Sequence, residues 1–277
     1  MSHPIAIVGC GYLGAAVARA LRAPVLGVGR RGTWPDGTPP EHVRMLALDV
    51  TDPALDLAQL APASAVVIAY APGRTQDRRA LYVEGTRRLL ERWPKGALRR
   101  VVWVGSTSAL PDRDAWLDER CVQWPSSERG RVQREAEQGV AEWATARGVP
   151  WLGLRLGGLY GPGRELDRIY RRRGDEPLPG DGMEPTNLIH QRDAVTATLA
   201  ALAAPPEHSG IVHGVDDDHT PRRWMYERIA AARGQPPLRW AVAAPAHAIP
   251  RGKRVSNRRL KDWLHVRLWA PTHRLAP

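Results

Sequence analysis

The sequence contains no phenylalanine, and lysine occurs only at Lys95, Lys253 and Lys261. Cysteine is nearly absent. Cys10 and Cys121 are too few for a disulfide framework. No apolar run reaches the roughly 18 residues that a membrane span needs. The apolar N-terminal stretch is broken by Gly9 and Gly11 and has no basic segment ahead of it, so no secretory leader is expected. These absences point to a cytoplasmic protein. The nine histidines are scattered without ligand spacing, which argues against a metal centre. No G-x-S-x-G elbow and no Walker loop is present, which removes two large classes of hydrolase.

What is present fits a soluble α/β protein. The 277 residues, 43% of them hydrophobic, suit one nucleotide-binding domain with a smaller appendage. Arginine supplies nearly all of the base behind the net charge of +11. Together with abundant Ala, Gly and Pro, that bias suggests a GC-rich genome. The basic residues are scattered and form no nucleic-acid motif; the compositional bias accounts for much of the charge, and the functional alternative is arginines that bind phosphates on a cofactor or substrate.

The chain is organised around Ile5–Gly14. Ile5 to Val8 is an unbroken apolar run, as in a strand buried on both faces. Gly9-x-Gly11-x-x-Gly14 follows, then Leu13, Ala16, Val17, Ala20 and Leu21 at helical spacing. Gly9 permits the tight turn, Gly11 lets a pyrophosphate approach the backbone, and Gly14 lets helix and strand pack closely. The amides at the helix start, Tyr12 and Leu13 among them, would face the anion.

Further strands are expected at Pro24–Gly29, Val43–Leu48, Ala65–Ala69, Arg100–Val104 and Pro150–Leu156. Helices are expected from Asp52 to Leu60, Arg78 to Trp93 and Ser126 to Ala146, with Pro111–Pro125 an irregular loop. This alternation is that of a Rossmann-type, doubly wound parallel sheet over residues 1–156. Residues 157–277 read as a small α+β substrate lobe, parts of which can return to the main sheet. Its expected helices lie near Glu165–Arg172, Asp193–Ala203, Pro221–Ala232 and Asn257–Leu264, and its strands near Asn187–His190 and Ile211–Val215. Ligands bind beyond the carboxyl ends of such strands. At the end of the second strand NAD binders carry an acid for the ribose 2′-OH. Here Arg30 and Arg31 stand instead, suited to a 2′-phosphate, so NADP is expected over NAD.

The motifs VGCGYLG at Val8–Gly14, ALDVTDP at Ala47–Pro53, VEGTRRLL at Val83–Leu90, VVWVGSTSAL at Val101–Leu110, LRLGGLYGPGR at Leu154–Arg164 and NLIHQRDAV at Asn187–Val195 carry a resemblance. In their order they resemble the extended and atypical short-chain dehydrogenase/reductases, the NAD(P)-dependent epimerase/dehydratase group. The resemblance implies that Asp49 and Val50 flank the adenine and that Ala69, Tyr70 and Ala71 line the nicotinamide side. Ser106 and Ser108 would lie beside the reacting carbon, and Gly157–Arg164 and the arginines after it would form the substrate pocket. One departure is marked. The group's Tyr-x-x-x-Lys pair is replaced, in the register set by Gly130 and Ala136-Glu137, by Arg129 and Gln133. Neither is an ordinary proton donor.

Tyr160 is a further candidate acid, though a packed loop residue is the plainer reading. His190 and Asp193 fit a helix start. Arg171-Arg172-Arg173 fits a solvated face or a phosphate contact. The expected protein is therefore an NADP-dependent oxidoreductase or epimerase-like enzyme acting on a polar small molecule, phosphorylated or not, with a homodimer allowed. The competing reading is a catalytically silent NADP-binding regulator. A β-hydroxyacid dehydrogenase with an all-helical second domain shares only the glycine motif and would have no strands near Asn187 or Ile211.

Overall fold

The computed structural model describes residues 3–73, 75–94, 98–167, 176–244 and 249–269. The strands in chain order are β1 (Ile5–Val8), β2 (Val25–Gly29), β3 (Val43–Ala47), β4 (Ala65–Ile68), β5 (Arg100–Ser106) and β6 (Ala115–Leu117). They continue with β7 (Trp151–Leu156), β8 (Gly158–Tyr160), β9 (Leu188–His190), β10 (Gly210–Gly214) and β11 (Lys253–Val255). A 7-stranded sheet in the order β10-β7-β5-β4-β1-β2-β3 dominates. Every neighbouring pair in it is parallel.

The helices are α1 (Tyr12–Ala20), α2, α3 (Glu128–Ala146), α4 (Gln191–Ala203), α5 (Arg222–Ala232) and α6 (Arg258–Leu264). α2 opens as a π-helical segment, Ala80–Gly85, and continues as an α-helix over Thr86–Glu91. The apolar runs explain the layering. Ala6 and Val8 of β1 face one layer, with Leu81 and Leu89 of α2 and Val132 and Val140 of α3. Ile7 points the other way, into a layer shared with Val17 of α1, Ala197 of α4 and Leu260 of α6. The alternation follows from the two-residue period of a strand buried on both faces.

The expected elements are largely present, with two corrections. The expected helix Asp52–Leu60 is only a 3-10 turn, Ala58–Leu60. The carboxylates of Asp52 and Asp56 accept from the amides of Ala54 and Ala58 at 2.8 and 2.9 Å, and these local turns compete with a helix. The loop Pro111–Pro125 contains β6, which pairs in parallel with β11. The residues after Leu156 are divided: β10 and α4 are built into the main sheet and its helical layer, while β8 and β9 form a small ribbon above it. The helix expected at Glu165–Arg172 and the run Arg171–Arg173 lie wholly or partly outside the described residues. β9 and β10 exclude the all-helical second domain.

A charged knot lies inside the packed sheet. Arg155 of β7 is 1% exposed, and its guanidinium donates to both carboxylate oxygens of Glu137 of α3 at 2.6 Å. His213 of β10 accepts from Arg155 through Nε2 at 3.3 Å and donates from Nδ1 to the Ser256 carbonyl at 3.2 Å. Burial pushes the Glu137 carboxyl up, with the Arg134 charge opposing it, while Arg155 is its ion-pair partner. Burial lowers the His213 ring to about 4, with the charges of Arg259 and Arg134 adding to it.

Two outcomes follow for stability. Glu137→Ala strands the Arg155 charge and should cost about 3–5 kcal/mol in urea unfolding, while Glu137→Met with Arg155→Met should cost much less. A single variant no worse than the double would show that the pair is not needed. His213 takes a proton near pH 6.5 when unfolded but only near about 4 when native. Stability should therefore fall as pH drops through that window, by about 3 kcal/mol from this group. His213→Gln should flatten that slope, as read from urea midpoints at pH 7 and pH 4.5.

Candidate functional site

Because all strands of the sheet run one way, their carboxyl ends share an edge, and a cleft of about 890 Å³ opens there. The glycine turn between β1 and α1 forms its floor. At Gly9 φ is +102°, and a Cβ would stand 2.3 Å from the Tyr70 amide nitrogen. At Gly14 a Cβ would stand 2.2 Å from the Gly9 carbonyl oxygen. Gly11 is different: its φ is −96° and a Cβ would meet nothing within 4 Å. Packing does not require glycine at Gly11. What its missing side chain leaves open is the cleft, at the N-terminal end of α1, where first-turn amides lack helical acceptors. These residues fit a pyrophosphate.

The other cofactor-side candidates gather in the same cleft. Arg30 and Arg31 leave β2 into one wall, with Thr33 beside them. Asp49 and Val50 line the same end, and Asp49 is held by the amide and hydroxyl of Thr51 at 2.9 and 2.7 Å. Ala69, Tyr70 and Ala71 form the middle. The Tyr70 hydroxyl is paired with that of Thr86, and burial pushes its phenol well above the ordinary range, so Tyr70 is a neutral wall.

At the end of β5 the two serines separate. Ser106 Oγ accepts from the Ser108 amide at 3.2 Å and caps the turn. Ser108 Oγ is buried without a hydrogen-bond partner and belongs to the cleft wall. A buried polar atom left so costs about 1–3 kcal/mol, which a ligand's bond would remove. Gly130 of α3 makes this wall possible, since a Cβ there would lie 2.4 Å from the Ser108 carbonyl oxygen. The close approach puts Arg129 on the cleft surface. Gln133, one turn on, is 5% exposed and lies behind Gly105 rather than on the cleft surface.

Tyr160 is 3% exposed in β8, packed edge-on against His190 at 5.2 Å, and stands away from the cleft lining. His190 Nδ1 accepts from the Arg192 amide at 3.2 Å, and Asp193 accepts from the Trp269 amide at 2.9 Å, so both serve the start of α4. Arg164 enters the cleft with its guanidinium 4.1 Å from the Tyr12 ring centre. Sequence reasoning missed several cleft residues, Lys253 and Tyr82 among them. Lys253 of β11 reaches the turn after β5, donating to the Thr107 carbonyl at 3.2 Å and to Asp112 at 2.8 Å. Its signal was rarity, as one of few lysines in an arginine-rich chain. Tyr82 of α2 also lines the cleft, one residue ahead of the motif that starts at Val83. Among the described residues no group of three or more potential ligands is placed to hold a metal, and no helix is long and apolar enough to cross a membrane.

The model of the NAD dependent epimerase/dehydratase family matches residues 5–212. The chain belongs to this family. Its cofactor class is accordingly a nicotinamide dinucleotide. Among members of known sequence it is similar to Protein YeeZ of Escherichia coli K12, 29% identical over 266 residues that cover 91% of this chain and 93% of that one. It is also similar to 2′-dehydrokanamycin reductase of Streptomyces kanamyceticus, 29% identical over 253 residues, covering 84% of this chain and 69% of that one. The fold is that of UDP-glucuronic acid 4-epimerase from Bacillus cereus in complex with NAD, at a TM-score of 0.80, with 16% identity over 97% of this chain and 94% of that chain.

The open space at Gly11 sets the first test of the site. Gly11→Val should abolish dinucleotide binding in calorimetric titration while the circular dichroism spectrum stays that of the parent, because the new side chain projects only into the cleft. Retained affinity would place the pyrophosphate elsewhere.

Proposed function

We propose that this protein is an NADP-dependent reductase of a small carbonyl compound that bears an anionic group such as a phosphate or carboxylate. The observation that carries the reading is the Ser108 hydroxyl, buried and unpartnered, on a residue that lines the same cleft as the glycine turn. A carbonyl or alkoxide oxygen is the natural partner for such a hydroxyl. Arg30 and Arg31 support NADP over NAD, since guanidinium pairs with a 2′-phosphate through two donors. When bound, the dinucleotide supplies hydride exchange with the substrate carbon. Arg129, Arg164 and Lys253 line the cleft, and three cations there support an anionic substrate. A similar Streptomyces protein is by name a reductase, which favours reduction over a silent regulatory role.

NADPH should bind more tightly than NADH in fluorescence titration. Charge-assisted hydrogen bonds of this kind contribute about 1.5–3 kcal/mol each, so Arg30→Ala with Arg31→Ala should lower NADPH affinity by at least tenfold and leave NADH nearly unchanged. Equal affinities in the parent protein would remove the NADP assignment. NADPH oxidation should then be followed over phosphorylated and carboxylated aldehydes and ketones, with neutral counterparts alongside. Turnover of the neutral set alone would overturn the anionic-substrate reading.

A further inference from the structure

Replacement of the Tyr-x-x-x-Lys pair by Arg129 and Gln133 leaves the cleft without its ordinary acid, yet a phenol stands in the same wall on a different element. Tyr82 projects from the π-helical segment of α2, a conformation that recurs at functional sites. It is 7% exposed and lines the cleft. Its ring is held by Tyr70 and Trp103, with centroids 6.3 and 6.1 Å away. The Gln133 side chain and the charges of Arg78 on its own helix and Arg129 on α3 act on its phenol. The Gln133 side chain is buried beside Gly105, its amide oxygen has no partner, and its N–H₂ end is the one suited to a phenolate.

We propose that Tyr82 is the proton donor of this site, with Gln133 and Arg129 as the residues that position it and offset its charge. The pair on α3 is then divided between two helices: the phenol comes from α2, and the cation and the hydrogen-bond donor come from α3. This rests on the reading of the cleft as a carbonyl-reducing site. As the substrate carbon receives a hydride, the carbonyl oxygen gains negative charge. The Tyr82 O–H bond breaks, a new O–H bond forms on the substrate oxygen, and the electron pair stays on the phenolate. Gln133 donates to that phenolate, Arg129 faces its charge, and water returns the proton. Ser108 holds the same oxygen without giving up its own proton. Burial raises the Tyr82 phenol, while Gln133, Arg78 and Arg129 pull it down. The balance keeps it protonated at neutral pH, the form a donor needs.

The test has two arms on the full chain. In the first, tyrosine carrying ¹³C at the ring carbon bonded to oxygen is incorporated, and the Tyr82 signal is assigned by its loss in Tyr82→Phe. Arg129→Leu should move the midpoint of its titration upward by at least half a pH unit. A signal indifferent to Arg129→Leu overturns the assignment of Arg129. In the second arm, NADPH oxidation is measured on the best anionic carbonyl. Tyr82→Phe should lower kcat about 10²–10⁴-fold, with KM and NADPH affinity within threefold of the parent and the alkaline limb of the pH profile gone. A Tyr82→Phe protein that turns over at the parent rate overturns Tyr82 as donor while leaving the reductase reading intact. No turnover by the parent protein on any carbonyl overturns the reductase reading and the proposal with it.

Discussion

The distance between β1 and α1 decides the geometry of the cleft. Gly14 sets it, because a Cβ there would collide with the Gly9 carbonyl oxygen at 2.2 Å. With the helix drawn in this far, its N-terminal end opens into the cleft at the carboxyl edge of the sheet. The neighbouring turns at the ends of β2, β4 and β5 then fall within reach of one elongated ligand. A methyl group at residue 14 would push the helix outward and move its amides away from all three. The dinucleotide site is thus a consequence of one close contact between backbone and backbone.

A second contact of the same kind places the opposite wall. Gly130 brings α3 against the turn at Ser108, and Glu137, on the same helix, is clamped by Arg155 of β7. Arg129 and Gln133 lie on the stretch around these two anchors, so their positions have little freedom. A guanidinium buried at 1% exposure is tolerable only while both carboxylate oxygens face it. The clamp therefore sets the register of α3 as well as its stability.

The fold was legible because the signals that specify it are local. Apolar runs, the glycine turn and the helical spacing of Leu13, Val17 and Leu21 each lie within a few residues of chain. The cleft residues that follow strand ends were legible for the same reason, since topology alone gathers them on one edge. What escaped was made by distance. β6 and β11 are three-residue strands whose pairing joins Ala115–Leu117 to Lys253–Val255, and nothing in either stretch names the other. Lys253 enters the cleft through that pairing. Tyr82 escaped for a subtler reason: the widened first turn of α2 has no signature in the residues, so a regular helical reading of Arg78–Trp93 leaves its aim undetermined. The turns at Asp52 and Asp56 broke an expected helix by accepting the amides that the helix needed.

The pairing of β6 with β11 carries a consequence for how the molecule comes into being. The sheet from β3 to β7 and the glycine turn are complete once Leu156 has been made. The rim that holds Lys253 over the end of β5 closes only when nearly the whole chain is available, across one of the longest loops in the protein. Closing so long a loop is slow and entropically costly. A nascent chain would thus have its dinucleotide floor well before its substrate wall, and the two ends of one cleft would mature at different times.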